Sequence, residues 1–409
     1  MTEAAGVARP TPEAQVKRVC VIGNFSGRNA GDAAILGGLL DDVHALYPDC
    51  VFDVPTINPG FVRRTYAGFP VRPVGMLPWN LSLKILGLPV FRSVLGADLV
   101  LVTDAILFDL KLLNPLFNYL STMALVLPLA KRRGIPVVLY NVSLGPVKTR
   151  LGAVCMRRVV DASDKIIVRD AESRGVMEQV GRSGREVLRG ADCALNVRPA
   201  PPEKVRELLK RDGVDAGDAP FATFNVNSYL NVFVRDGGAC ADPDAFAGMM
   251  AAAADRISAE LGIRLVVVVT QPMDMRITEA VLVRMKSRAV CGCAVNPKWS
   301  YSDLAGLFAL AGMHIGMRTH SLILASSVLT PVVGIIATPK NRGFMRSIGQ
   351  DARMMEFPDL TEDSLVACAV RTWETRDSIR GGLVPVIARE KALASASAGE
   401  LAGWLEKPR

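Results

Sequence analysis

The stretch Val19-Cys-Val-Ile22-Gly23-Asn-Phe-Ser-Gly27-Arg-Asn29-Ala-Gly31-Asp32 decides the fold class. A short apolar run ends at a glycine, a loop carrying further glycines follows, and a helix-like segment runs from about Asp32 to Leu46. A continuous apolar run suits a parallel strand covered on both faces, and the loop and helix after it begin a βαβ unit. Working outward, the pattern recurs at Ala97-Asp-Leu-Val-Leu-Val102, Ile135-Pro-Val-Val-Leu-Tyr140 and Lys165-Ile-Ile-Val168, the last entering a helix at Ala171. The prolines of Asn196-Val-Arg-Pro-Ala-Pro-Pro-Glu203 stop this series and mark a domain boundary. A second series follows, with strands predicted at 222–226, 264–269, 314–316 and 331–336 and helices at 243–261, 303–311 and 321–328. The tail from Leu365 reads as helical, with an interruption at Gly381-Gly382. The expectation is an α/β chain of two doubly wound (Rossmann-like) domains facing a cleft. Its parts are a flexible N-terminus 1–16, an N-terminal domain 17–198, a C-terminal domain 199–385 and a helical tail 386–409.

Composition agrees with this class. Of 409 residues, 50% are hydrophobic, 6% aromatic and 22% charged, which describes a globular chain with aliphatic cores. The net charge of +8 favours anionic partners: phosphorylated metabolites, anionic lipid surfaces or nucleic acid. No basic run carries interleaved aromatics, so nucleic acid is not expected. The eight cysteines are scattered through apolar surroundings, and Cys291-Gly-Cys293 lacks a second pair or a nearby histidine for zinc. No metal is expected. The opening residues lack the apolar core of a secretory signal, so the expected compartment is the cytoplasm. The uncharged segment 112–130 approaches the length of a spanning helix, but Asn114, Pro115, Asn118 and Pro128 favour a buried helix. Peripheral contact with the inner face of a membrane stays open, as does a homo-oligomer.

Ligands of doubly wound sheets sit beyond the carboxyl ends of the strands, so the loops there carry the candidates. In the first loop, Asn29, Gly31 and Asp32 stand where a backbone can approach a ligand and a carboxylate can face the cleft. Asp32 as a plain helix cap is the bland alternative. Its glycine spacing is not the dinucleotide fingerprint. The second constellation is Gly316-Met-Arg318-Thr319-His320-Ser321, running into a helix. A guanidinium, an imidazole, a hydroxyl and helix N-terminal amides make an anion site with a titratable group inside. The bland alternative pairs Arg318 with an acidic neighbour. Val168-Arg169-Asp170-Ala-Glu172-Ser173 is explained by capping, with Arg169 paired to a carboxylate such as Asp192. Lys340 and Arg342, at another strand end, hold phosphate or form a solvated basic turn. His44 and His314 read as structural.

Taken in order, these motifs resemble the polysaccharide pyruvyl transferase family. The first loop, Ala97-Asp98, Leu144-Gly145-Pro146, Arg169-Asp-Ala-Glu-Ser173, Ala191-Asp192, Arg318-Thr-His320, Pro331-Val-Val-Gly334 and Pro339-Lys340 are similar to that family's steps. The resemblance implies a fold similar to the two-domain B-type glycosyltransferases and no cofactor beyond phosphoenolpyruvate as co-substrate. It implies transfer of the pyruvyl or enolpyruvyl group of phosphoenolpyruvate to a sugar hydroxyl of a glycan or lipid-linked precursor. It also implies that Arg318 and His320, with Thr319, Ser321 and Lys340, meet the donor, with His320 handling the proton. Asp32, with Asn29 and Gly31, then stands on the acceptor side. This chain departs from the family pattern at Thr103-Asp104-Ala105, where glycines are common. It departs again at Asn225-Val-Asn227-Ser228, where an arginine is common and Asn227 would bind the donor without charge. Two further readings share the fold: a nucleotide-sugar glycosyltransferase or epimerase, with Arg318 and Lys340 on a diphosphate, and a non-catalytic binding protein.

Overall fold

The computed structural model describes residues 17–76, 88–112, 119–214, 219–228, 242–286, 289–291 and 298–406. The expected flexible segment 1–16 lies outside them. The first domain is a seven-stranded parallel sheet made from β1 (Lys17–Ile22), β2 (Cys50–Thr56), β3 (Val71–Gly75), β4 (Leu99–Val102), β5 (Val137–Val142), β6 (Lys165–Val168) and β7 (Leu188–Arg189), in the order 3-2-1-4-5-6-7. The second is a six-stranded parallel sheet of β8 (Phe221–Asn225), β9 (Arg264–Val268), β10 (Ala289–Cys291), β11 (Met313–Gly316), β12 (Val332–Ile336) and β13 (Met354–Glu356), in the order 10-9-8-11-12-13. Strand order therefore reverses between β1 and β4 and again between β8 and β11. Such switch points open a crevice at the carboxyl ends of the strands. Ile22 pairs with Val102, and Gly316 with Asn225, so at each switch point the paired strands end level and their loops emerge together.

The domains pack through the helix Ala30–Leu46, whose small residues admit the second domain. A Cβ on Gly37 would lie 2.5 Å from the Tyr301 hydroxyl, and Tyr301 stacks on Tyr66 at 6.1 Å. The amide of Ala30 donates to the carbonyl of Thr270 at 3.0 Å. The helix Arg376–Gly399 then returns from the second domain to the first. There the Asn141 amide donates to the Ala394 carbonyl and the Ser397 hydroxyl donates to Asn141.

This helix passes through Gly381-Gly382 and Pro385 without a break, so the expected interruption is absent and residue 385 lies inside it. Ile379, Leu383, Ile387, Ala394 and Ala398 are buried along one face. That burial outweighs the roughly 1 kcal/mol by which each glycine disfavours a helix. In the uncharged segment the described part is a helix, Leu120–Arg132, while 113–118 lie outside the described residues. No helix among the described residues is long and apolar enough to cross a membrane.

Candidate active site

Asn29, not Asp32, caps the first helix: its side chain accepts from the Gly31 amide at 2.9 Å. Asp32 lies one turn in and is buried, its two oxygens accepting from Asn24 and Asn29 at 2.7 Å each. The cap alternative is corrected, because the preceding asparagine already serves the free amides. Burial, reinforced by the nearby Asp104 carboxylate, raises Asp32's proton affinity well above the usual carboxyl range; Asn24, Arg169 and Arg318 oppose the rise. Asp104 follows β4 at the switch point. It is buried at φ 71°, a left-handed conformation suited to glycine, with its own carboxylate accepting from the Ala105 amide at 2.6 Å.

Gly31 faces the second domain. A Cβ there would lie 2.2 Å from Cγ and Nδ1 of His320, so the glycine allows backbone and imidazole to touch. His320 occupies the first turn of the helix Thr319–Ser327, at the carboxyl end of β11. Its Nε2 stands 3.5 Å from Asp192 Oδ2, across the cleft in the first domain. Asp192 is in ionic contact with Arg169 at 2.6 Å and accepts from the Ala194 amide at 2.9 Å. Burial alone would raise the proton affinity of Asp192; Arg169 and His320 overturn that and leave it well below the usual range, so it is ionised. The sequence pairing of Arg169 with Asp192 is present. What the sequence did not reveal is that the pair is the seat of the imidazole.

Arg318 makes the paired arrangement that was the bland alternative. Its Nε and Nη2 donate to Asp274 at 2.7 and 2.6 Å, a bidentate contact with a fully buried carboxylate. Asp274 also accepts from the amide and hydroxyl of Ser228, both at 3.0 Å. The backbone amide of Arg318 donates to Asn225, whose own amide donates to the Val268 carbonyl. Asn227 is buried just past β8. Thr319 donates to Asn341 at 2.6 Å, and Asn341 donates to the Met317 carbonyl, so one buried amide ties two helix starts together.

Ser321 turns inward. It is fully buried, donates to the Arg318 carbonyl at 2.8 Å and lies 2.9 Å from His314 Nε2, so its hydroxyl positions the turn. His314 bridges Ser321 to Thr223, and burial pushes it down to about 3, neutral at ordinary pH. Its structural reading fits this geometry, as does that of His44, which packs edge-on against Phe69. Lys340 begins the helix Pro339–Ser347 and is half-buried in the cleft. Desolvation, then Arg169, pushes it down to about 8, against Asp170, Asp104 and Asp32. Arg342 is held away by a bidentate pair with Glu356 at 2.7 and 2.8 Å.

The cleft thus gathers a carboxyl of raised proton affinity, an imidazole 3.5 Å from an ionised carboxylate, and cations from both domains. That is equipment for moving protons beside a bound anion. Two parallel-sheet domains facing such a cleft have the architecture shared by B-type glycosyltransferases and related epimerases. The chain matches the polysaccharide pyruvyl transferase family over residues 29–337 and belongs to it. It is 24% identical to the amylovoran biosynthesis protein AmsJ of Erwinia amylovora, over 92% of this chain and 97% of that one. Solved structures share the fold at low identity. One is HepE of Anabaena in complex with UDP and glucose (TM-score 0.60, 12% identity, 96% of this chain and 100% of that one). Another is a putative UDP-N-acetylglucosamine 2-epimerase of Listeria monocytogenes (TM-score 0.62, 11% identity, 97% and 98%). The protein is therefore a transferase of polysaccharide modification, and the non-catalytic reading gives way to an enzyme.

Proposed function

We propose that the enzyme transfers the pyruvyl group of phosphoenolpyruvate to a hydroxyl of a glycan sugar. The observation that carries this reading is the His320 imidazole, wedged between Gly31 and the ionised Asp192. Ketal or enol-ether formation requires a proton on the methylene carbon of the donor, which leaves a cationic centre for a sugar hydroxyl to attack. His320 gives that proton, and Asp192 holds the ring in place and balances its charge. Asp32, with its raised proton affinity, takes the proton of the attacking hydroxyl. The tetrahedral adduct then breaks the C–O bond to its phosphate, which leaves as inorganic phosphate; a second sugar hydroxyl closes the ketal, or the new methyl group gives up a proton to leave the enol ether. Lys340 and the amides at the start of the helix Thr319–Ser327 hold the donor's anionic groups. Arg318, locked to Asp274, lends its positive field while shaping this wall of the cleft.

A nucleotide-sugar donor is the second reading, favoured by the bound UDP of the Anabaena structure and carried here by the shared fold alone. Mass spectrometry of glycan acceptors incubated with the enzyme and either donor separates the two. Pyruvylated product with phosphoenolpyruvate supports the first reading. Glycosylated product from a UDP-sugar, with none from phosphoenolpyruvate, overturns it.

A further inference from the structure

Two neighbouring helices on the outside of the first domain, Leu120–Arg132 and Arg150–Ala162, bury one face against the sheet and leave the other uncovered. Leu125 and Leu129, one turn apart, are exposed, as are Leu151 and Val154 on the second helix; Leu125 and Leu151 are each 50% accessible. The helices run side by side, with Lys131 Nζ donating to the Asp161 carbonyl at 3.1 Å. Around this apolar strip stand Arg132, Arg133, Lys148, Arg150, Arg157 and Arg158, none of which forms an ion pair among the described residues. The acids nearby are already engaged: Asp161 by Arg182 at 2.6 Å and Asp164 by Lys131 at 3.5 Å.

We propose that this outward face docks on an anionic membrane surface. Leucines projecting from a helix face, flanked by uncompensated cations, match an interface of acyl chains and negative headgroups. A second copy of the chain is a poor occupant, because a two-fold contact would set this basic rim against itself. Nucleic acid would answer the charge but offers nothing to the leucines. The helix Arg150–Ala162 starts beyond the carboxyl end of β5, so docking brings the cleft edge of the first domain to the surface. There it would meet a lipid-linked acceptor, a consequence that rests on the function proposed above.

The test is flotation of the full-length protein with vesicles of phosphatidylcholine alone and of phosphatidylcholine with phosphatidylglycerol, without donor or acceptor. Binding is expected only with phosphatidylglycerol. Each cation near such a surface is worth about fivefold in partitioning, so Arg132→Gln/Arg133→Gln/Arg158→Gln should bind about a hundredfold more weakly. Leu125→Ser/Leu151→Ser should lose about tenfold or more with unchanged melting. No flotation of the wild type overturns the proposal. So does wild-type binding by the leucine variant, or sedimentation showing a dimer that these variants dissociate. Donor binding in solution is independent of all these outcomes, so a failure here leaves the catalytic reading standing.

Discussion

Gly31 and His320 belong to different domains and meet at the switch-point cleft, where a Cβ on the glycine would lie 2.2 Å from the ring. Their contact ties the position of the imidazole to the packing of the two domains. Gly31→Ala must push the ring away from Asp192, and a displacement of about 1 Å can cost about a hundredfold in rate. The turnover number should fall by at least about tenfold while circular dichroism stays native. Wild-type turnover would show that the ring is not needed where it stands.

Asp32→Asn keeps the shape and the acceptor for Asn29, turns its new amide toward Asn24, whose own amide can flip to receive it, and removes the base. Because Asp32's proton affinity is raised in the folded state, the wild type is favoured at low pH and loses that advantage as pH rises through the folded-state pKa. The asparagine variant lacks this loss, so thermal melts at pH 8 should place it level with the wild type or above, with turnover reduced about a hundredfold or more. A destabilised variant with normal turnover would make Asp32 structural.

Arg318→Met leaves Asp274 buried without its cation, and breaking such a pair costs about 3–5 kcal/mol. Chemical denaturation should show that loss, and Arg318→Met/Asp274→Leu should recover much of it. A single variant as stable as wild type would mean the pair does not hold the wall of the cleft.

Much of this architecture could be read from the chain, and the exceptions have physical causes. β1, β5 and β9 are continuous apolar runs and announce themselves. β2 conceals itself because it contains Asp53 and Pro55; Asp53 is fully buried, satisfied by Arg18, Arg72 and Ser93. β3 reads Val-Arg-Pro-Val-Gly, an edge strand in which proline is tolerated. The loop of Arg318 and His320 was legible from its place between strand and helix. Asp274, the partner of Arg318, lies 44 residues away on another loop, and no local pattern links them. Asp104 was visible only as a departure from a glycine-rich pattern. Its left-handed backbone keeps the glycine-like geometry while adding a carboxylate to the cleft.

Lys340 supplies a pH signature. Its pKa is pushed down to about 8, so its charge is complete well below that pH and disappears as pH rises through it. Calorimetric titration with phosphoenolpyruvate should therefore weaken through pH 8. The loss should be roughly ten- to hundred-fold, the worth of one charge-assisted contact. Lys340→Met should bind weakly at all pH values and show no such step. A step that persists in the variant belongs to another group.

The most direct test of the account is single-turnover product formation by His320→Gln at saturating phosphoenolpyruvate. Glutamine can hold a polar amide beside Asp192 but cannot give a proton at neutral pH. Donor affinity should stay within a few-fold of wild type, while the chemical step slows by about a hundred- to ten-thousand-fold, the usual worth of general acid catalysis. A single-turnover rate within a few-fold of wild type would contradict the account and move the proton to another group.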